Sequence, residues 1–130
     1  MQRELKFRAW DKSHKYMAYQ GHPDLETLYS FMFHYADFKD CLLMQGIDIL
    51  DKNGDEIFEG DYIKCTGGLW LGDYPKEGQI IFNKHSASFV MRGKNSCGVF
   101  MNISLGFSDG TEIEVIGNIY ENPELLQDVS

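Results

Sequence analysis

Between Glu4 and Trp10 polar and apolar residues alternate, with Leu5 and Phe7 on one side and Glu4, Lys6 and Arg8 on the other. A period of two predicts a half-buried strand. Asp11-Lys12-Ser13-His14 has turn chemistry, and Lys15 to Tyr19 offers a return strand with Tyr16 and Ala18 opposite Met17 and Tyr19. Residues 1–20 therefore read as a β-hairpin.

The period changes between Asp24 and Phe38, where Leu25, Leu28, Tyr29, Met32, Tyr35 and Ala36 recur at three- and four-residue spacing. That pattern predicts an amphipathic helix, and Pro23 suits its first position because the N–H it lacks would have no partner there. An aromatic stripe at helical spacing reads as core before it reads as a ligand pocket. His34 reads as a partly exposed helix residue.

From Cys41 onward the texture is β: CLLMQ, IDIL, EIF, DYIKC, GQIIF, ASFVM and TEIEVI are separated by glycine and turn residues. Such spacing predicts a small antiparallel sheet or barrel, of which an SH3-like barrel is one form. Thr66 to Gly78 reads as an exposed connection and is the loop best placed to carry function; Leu69, Trp70, Asp73 and Tyr74 are its candidate partner-binding residues. Trp70 and Tyr74 can equally fold back as a lid on the core. Asn122-Pro123-Glu124 has the order of an N-cap, a first-turn proline and an acid at the positive end of a helix dipole, which predicts a short closing helix.

The expected fold is thus mainly β (α+β), one domain over residues 1–130. Its N-terminal hairpin and helix occupy residues 1–40, and a barrel-like sheet with a short final helix occupies 41–130. Phe7, Trp10, Met44, Ile57, Ile63, Ile81, Phe82, Val90, Val115 and Ile116 are the expected core. A chain of 130 residues with 43% hydrophobic residues can bury such a core without disulfides or metal staples. No apolar run approaches the length that crosses a bilayer, and MQRELKFRAW lacks the apolar segment of a secretory signal, so a cytoplasmic protein is expected. Cys41, Cys65 and Cys97 are odd in number, lack CxxC spacing, and read as buried thiols.

Charge is uneven along the chain, which has a formal net charge of −8. Residues 1–20 hold Arg3, Lys6, Arg8, Lys12 and Lys15 against Glu4 and Asp11, whereas nothing after Lys94 is basic. The acidic part disfavours a phosphate backbone, which leaves the N-terminal segment as the candidate basic patch, or else as an ordinary solvated strand face.

Candidate chemistry concentrates in DKNGDEIFEGDYIK, residues 51–64. Asp51, Asn53 and Asp55 have the one-three-five spacing of a calcium loop, but Glu56 stands where that loop needs glycine and Tyr62 where it needs a bidentate glutamate. A hairpin fits better, with Asn53-Gly54 supplying left-handed turn residues and the acids lying in the turn or facing solvent. Gly60-Asp61 reads as a sharp corner before a new strand. His14, His22, His34 and His85 have no HxH, HxxxH or HExxH spacing, and no glycine pattern cradles a nucleotide phosphate. A hydrolase would require convergence in space, for instance of His85 with Asp61 or Cys65. No catalytic residue, metal or cofactor is expected.

Four segments resemble the YopX family, small proteins encoded largely by phages, prophages and related mobile elements. They are Lys6-Phe7-Arg8-Ala9-Trp10-Asp11, Leu43-Met44-Gln45, Asp51-Lys52-Asn53-Gly54 with Ile57-Phe58-Glu59-Gly60-Asp61, and the stretch from Val115 through Gly117-Asn118-Ile119-Tyr120-Glu121-Asn122-Pro123 to Leu126. The chain departs from the family where a Thr-Gly step usually follows the Met-Gln pair, since it runs Gln45-Gly46-Ile47-Asp48-Ile49-Leu50. The resemblance implies a mainly β, barrel-like protein of phage-related origin and implies no reaction.

The expectation is therefore a non-catalytic accessory protein that binds a protein partner, or itself as a homo-oligomer, through strand edges and the 66–78 loop. Its acidic face could also present itself to a host nucleic-acid-binding protein as a phosphate mimic. The alternative is a small barrel that binds nucleic acid through the basic hairpin, with Phe82, Phe89 and Trp70 available for base stacking.

Overall fold

The computed structural model describes residues 6–20, 41–67, 74–105 and 111–125, and in these residues the chain forms two antiparallel sheets. The first contains β1 (Phe7–Asp11), β2 (Tyr16–Tyr19), β3 (Cys41–Leu50) and β4 (Glu56–Phe58) in the order β2-β1-β3-β4. The second contains β5 (Asp61–Gly67), β6 (Glu77–Asn83), β7 (Ser88–Lys94), β8 (Phe100–Ser104) and β9 (Thr111–Asn118) in the order β8-β7-β6-β5-β9.

The N-terminal hairpin forms as the alternation predicts, with Arg8 opposite Tyr19 and Asp11 opposite Tyr16. Asp11 builds its turn: one carboxylate oxygen accepts the N–H groups of Ser13 and His14, both at 3.0 Å. β3 pairs along the other side of β1, so β1 is an interior strand rather than a solvated one.

β3 bends where the chain departs from the family pattern. Gly46 lies opposite Phe58 and Leu50 opposite Glu56, so β3 spends more residues than β4 over the same span, and Asp48 takes the left-handed conformation (φ 64°) inside the irregularity. This is the geometry of a bulge. In the turn that follows, Gly54 is left-handed (φ 85°) while Asn53 is not, and Gly54 N–H reaches Asp51 O at 3.0 Å.

The main core joins both sheets. Ile47 and Ile57 from the first pack with Ile63, Cys65, Ile80, Met91 and Ile113 from the second. Of the expected core, Met44, Ile57, Ile63 and Val90 are buried, while Phe7, Trp10, Ile81 and Val115 are half-buried. Phe82 and Ile116 are exposed, against expectation. Ile116 is the extra residue of a bulge, because Tyr62 faces Gly117 and the next residue, Ile63, faces Val115. Phe82 lies beyond the span over which β5 pairs with β6, which runs from Tyr62–Gln79 to Lys64–Glu77, so no strand of that side flanks it.

Three further expectations change. No helical element occurs among the described residues; the amphipathic helix over 24–38 lies outside them, as do His22 and His34. The closing segment runs in turns after β9, with Leu125 N–H donating to Asn122 O at 3.0 Å, and residues 126–130 lie outside the described set. Asn122 itself belongs to the Asn118 turn described below, and Leu125 is helical at the limit of the described residues. The cysteines are not uniformly buried: Cys65 is, Cys41 is half-buried, and Cys97 is exposed in the β7–β8 turn.

Candidate functional site

Three of the four resemblance segments meet at an open cleft of about 990 Å³ between β1, the β4–β5 corner and the end of β9. Its structural centre is Arg8. The sequence period places this residue on a solvent face, but β4 and the corner after it cover that face, and the side chain is only 3% exposed. Arg8 Nη2 lies 2.8 Å from Asp61 Oδ1 and donates to Glu59 O at 3.2 Å, while the guanidinium carbon sits 4.9 Å from the centre of the Phe58 ring. Asp61 Oδ2 accepts the Phe58 N–H at 2.8 Å.

The corner requires Gly60, which is left-handed (φ 93°) and donates to Ile80 O at 2.9 Å; a Cβ here would come within 3.2 Å of Met44 Sδ. Burial pushes the Asp61 carboxyl above its ordinary range, against the opposing pull of Arg8 and the Phe58 N–H. Arg8 Nε is buried with no partner.

The rest of the cleft is also occupied with internal bonds. Lys6 Nζ is 3.5 Å from Glu56 Oε2. Asn118 Oδ1 accepts the N–H groups of Tyr120 at 3.0 Å and Glu121 at 2.8 Å, its amide donates to Glu121 Oε1 at 2.8 Å, and Asn122 Oδ1 accepts the Asn118 N–H at 3.2 Å. Tyr120 stacks on Trp10 with ring centres 5.7 Å apart, which fastens the chain after β9 to the N-terminal hairpin. Among its described lining residues there is no serine, cysteine or histidine, and most of its charged groups are engaged in salt bridges and turn caps.

The acidic stretch is equally committed. Asp51 is buried rather than solvent-facing: Oδ1 accepts the N–H groups of Asn53 and Asp55, both at 2.9 Å, and Oδ2 accepts Val115 N–H from β9 at 3.1 Å. Burial alone would raise its pKa, but the Val115, Asp55 and Asn53 N–H groups outweigh it and hold the carboxyl below its ordinary value. Both Asp51 oxygens are therefore engaged by backbone N–H groups. Among the described residues no group of three or more His, Cys, Asp or Glu side chains could hold a metal ion.

The residues singled out from sequence are scattered. Arg3, Leu69, Trp70 and Asp73 lie outside the described residues. Tyr74 is exposed at the end of the loop, whose span is shorter than expected because β5 runs to Gly67 and β6 begins at Glu77. Of the basic hairpin, Arg8 is withdrawn into the Asp61 pair and Lys6 is held by Glu56, which leaves Lys12 and Lys15 exposed at the turn. His85, Asp61 and Cys65 serve three different places. His85 is exposed in the β6–β7 turn, Asp61 holds Arg8, and Cys65 is in the core, where burial pushes its thiol up to about 11.

A second feature was missed in the sequence. On the outer face of β7 and β8, Arg92 and Lys94 both lean over the Phe100 ring, at 4.8 Å and 5.2 Å from its centre, and Arg92 Nη1 donates to Asn102 Oδ1 at 3.0 Å. The signal available was Arg92-Gly93-Lys94, two cations at strand spacing. No ion pair among the described residues involves Lys64, Lys76, Arg92 or Lys94.

Comparison with known proteins places the fold. The chain is similar to the crystal structure of protein EF1440 from Enterococcus faecalis, with a TM-score of 0.53 and 24% identity over 96% of this chain and 99% of that one. Among curated proteins none matches it. A family model described as YopX protein matches residues 6–127, a span that contains all four resemblance segments, and the chain belongs to the YopX family.

Proposed function

We propose that this is a non-catalytic accessory protein of phage or prophage origin, working in the cytoplasm of a bacterial host, that acts by binding a protein partner or a second copy of itself along the β8 edge. The observation that carries this reading is the state of that strand. β8 ends its sheet, and no other described strand pairs with its outer side. The Asn95 N–H to Val99 O bond sets the alternation of the β7–β8 ladder, so Gly93–Met101 and Met91–Ile103 are the bonded pairs. The N–H groups of Phe100, Asn102 and Ser104 then point outward. Val99 and Phe100 are 56% and 38% exposed at its start. An unpaired edge flanked by exposed apolar residues is a template for strand addition. The charges of the Arg8 cleft, by contrast, are spent inside the fold. Exposed Tyr74 keeps the 66–78 loop as a second contact surface of the same reading.

The test compares wild type with Ser104→Pro, which removes one outward N–H at an exposed position while leaving the bonds to β7. Light scattering gives the mass in solution, and capture from a bacterial lysate at low and high salt gives the partner. A dimer, or a recovered protein, that the proline variant loses supports the reading. A monomer that recovers nuclease-sensitive nucleic acid instead contradicts it and favours the nucleic-acid alternative.

A further inference from the structure

We propose that the β8 edge takes an extended acidic peptide, and that Arg92 and Lys94 read carboxylates placed at every second residue of that peptide. The inference rests on β8 being the interaction edge and adds the chemistry of what it binds. Arg92 and Lys94 belong to β7, and their charged ends meet side chains of β8, the Phe100 ring and Asn102 Oδ1. They therefore lie one strand in from an edge that no other described strand pairs, and an added strand would run about 4.8 Å beyond β8. Arg92 and Lys94 share one face at a two-residue interval, about 6.8 Å, which is also the interval between same-face residues of the added strand. An acid-x-acid pattern brings one carboxylate to each cation, while the peptide backbone accepts from the outward N–H groups of β8. Glu77 is the exposed carboxylate nearest this strip in the strand register: it faces Lys64 on β5 and, two residues beyond the Gln79–Arg92 pair, falls opposite Lys94, and it forms no ion pair with either.

Magnitudes favour a peptide over nucleic acid. Two cations neutralise about two phosphates, which is a small electrostatic gain for a long polyanion approaching a chain of net charge −8. A peptide meets only the local field and gains main-chain hydrogen bonds that a sugar-phosphate backbone does not make with a strand edge.

The test is fluorescence anisotropy of the full chain with labelled Thr-Glu-Val-Glu-Val-Thr, its lysine counterpart Thr-Lys-Val-Lys-Val-Thr, and a twelve-residue oligothymidylate as competitor. The glutamate peptide is expected to bind at least tenfold tighter than the lysine peptide. Arg92→Gln and Lys94→Gln, both at surface positions, are each expected to weaken it by about two- to fivefold, and added salt should weaken wild type more than either variant. Equal binding of the two peptides would overturn the charge assignment while leaving the edge reading intact. Undiminished binding by Ser104→Pro would overturn both. Absence of saturable binding by the glutamate peptide, or displacement of it by the oligothymidylate at equal concentration, would overturn the acidic-peptide assignment.

Discussion

Replacing Asp61 by alanine breaks the buried ion pair that links β1 of the first sheet to β5 of the second. Asp61 and Arg8 are 2% and 3% exposed, so removal of the carboxylate leaves a buried guanidinium with Glu59 O as its remaining hydrogen-bond acceptor among the described residues. Breaking a buried pair in this way costs about 3–5 kcal/mol. The Phe58 N–H also loses its acceptor, a loss of about 1–3 kcal/mol that overlaps with the first. Against a domain stability of about 5–15 kcal/mol, a loss near 4 kcal/mol is severe. Equilibrium urea unfolding at pH 7 should show the midpoint falling by about 2 M for a slope near 2 kcal/mol/M. The paired variant Arg8→Met/Asp61→Asn keeps an acceptor for Phe58 and removes both charges, and it should be more stable than Asp61→Ala alone. A loss under about 1 kcal/mol for Asp61→Ala, or a double variant no better than the single, would refute the coupling.

Three other perturbations have definite expected outcomes. Asp51→Asn sets an amide against the Val115 N–H and should cost about 1–3 kcal/mol at neutral pH. Because Asp51 in the folded chain lies below its ordinary 3.8, its stabilisation is present above that value and is lost as pH falls through the folded value, so unfolding curves of variant and wild type should converge in acid. Gly93→Ala places a Cβ against the backbone carbonyl oxygen of Glu77 and 3.0 Å from Pro75 Cβ, and should lower the thermal midpoint with a loss of about 1–3 kcal/mol. A thiol-reactive chromophore at pH 7.5 should label exposed Cys97 first and half-buried Cys41 more slowly. Cys65, buried and with its thiol pushed up to about 11, should react only on unfolding; rapid native labelling of Cys65 would contradict the core assignment.

Local chemistry was legible in the sequence and long-range burial was not. The N-terminal hairpin, the β6 and β7 strands and the Asp51–Gly54 turn each follow from a short pattern of alternation, glycine and aspartate. The role of Arg8 does not, because period two assigns it to a solvent face and says nothing of a partner 53 residues away that covers that face. In the sequence Asp51 reads as a turn residue, which it is, but its third N–H comes from Val115 on a strand that no local pattern connects to the turn. Phe82 and Ile116 failed for a related reason: alternation predicts which face a residue takes, whereas a bulge and the end of a pairing span decide whether anything lies against it. The Arg92–Lys94 strip is visible as a spacing, yet its meaning depends on both side chains meeting those of β8, which only the sheet order reveals.

The most direct measurement of the central claim is residue-resolved amide exchange of the β8 strand, in dilute monomer and again at high protein concentration or with the glutamate peptide. In dilute monomer the N–H groups of Phe100, Asn102 and Ser104 should exchange quickly while those of Met101 and Ile103, bonded to β7, stay protected. Protection should then appear at Phe100, Asn102 and Ser104 when the edge is occupied. Protection of those three in dilute monomer, or fast exchange that no partner or second copy slows, would contradict the account.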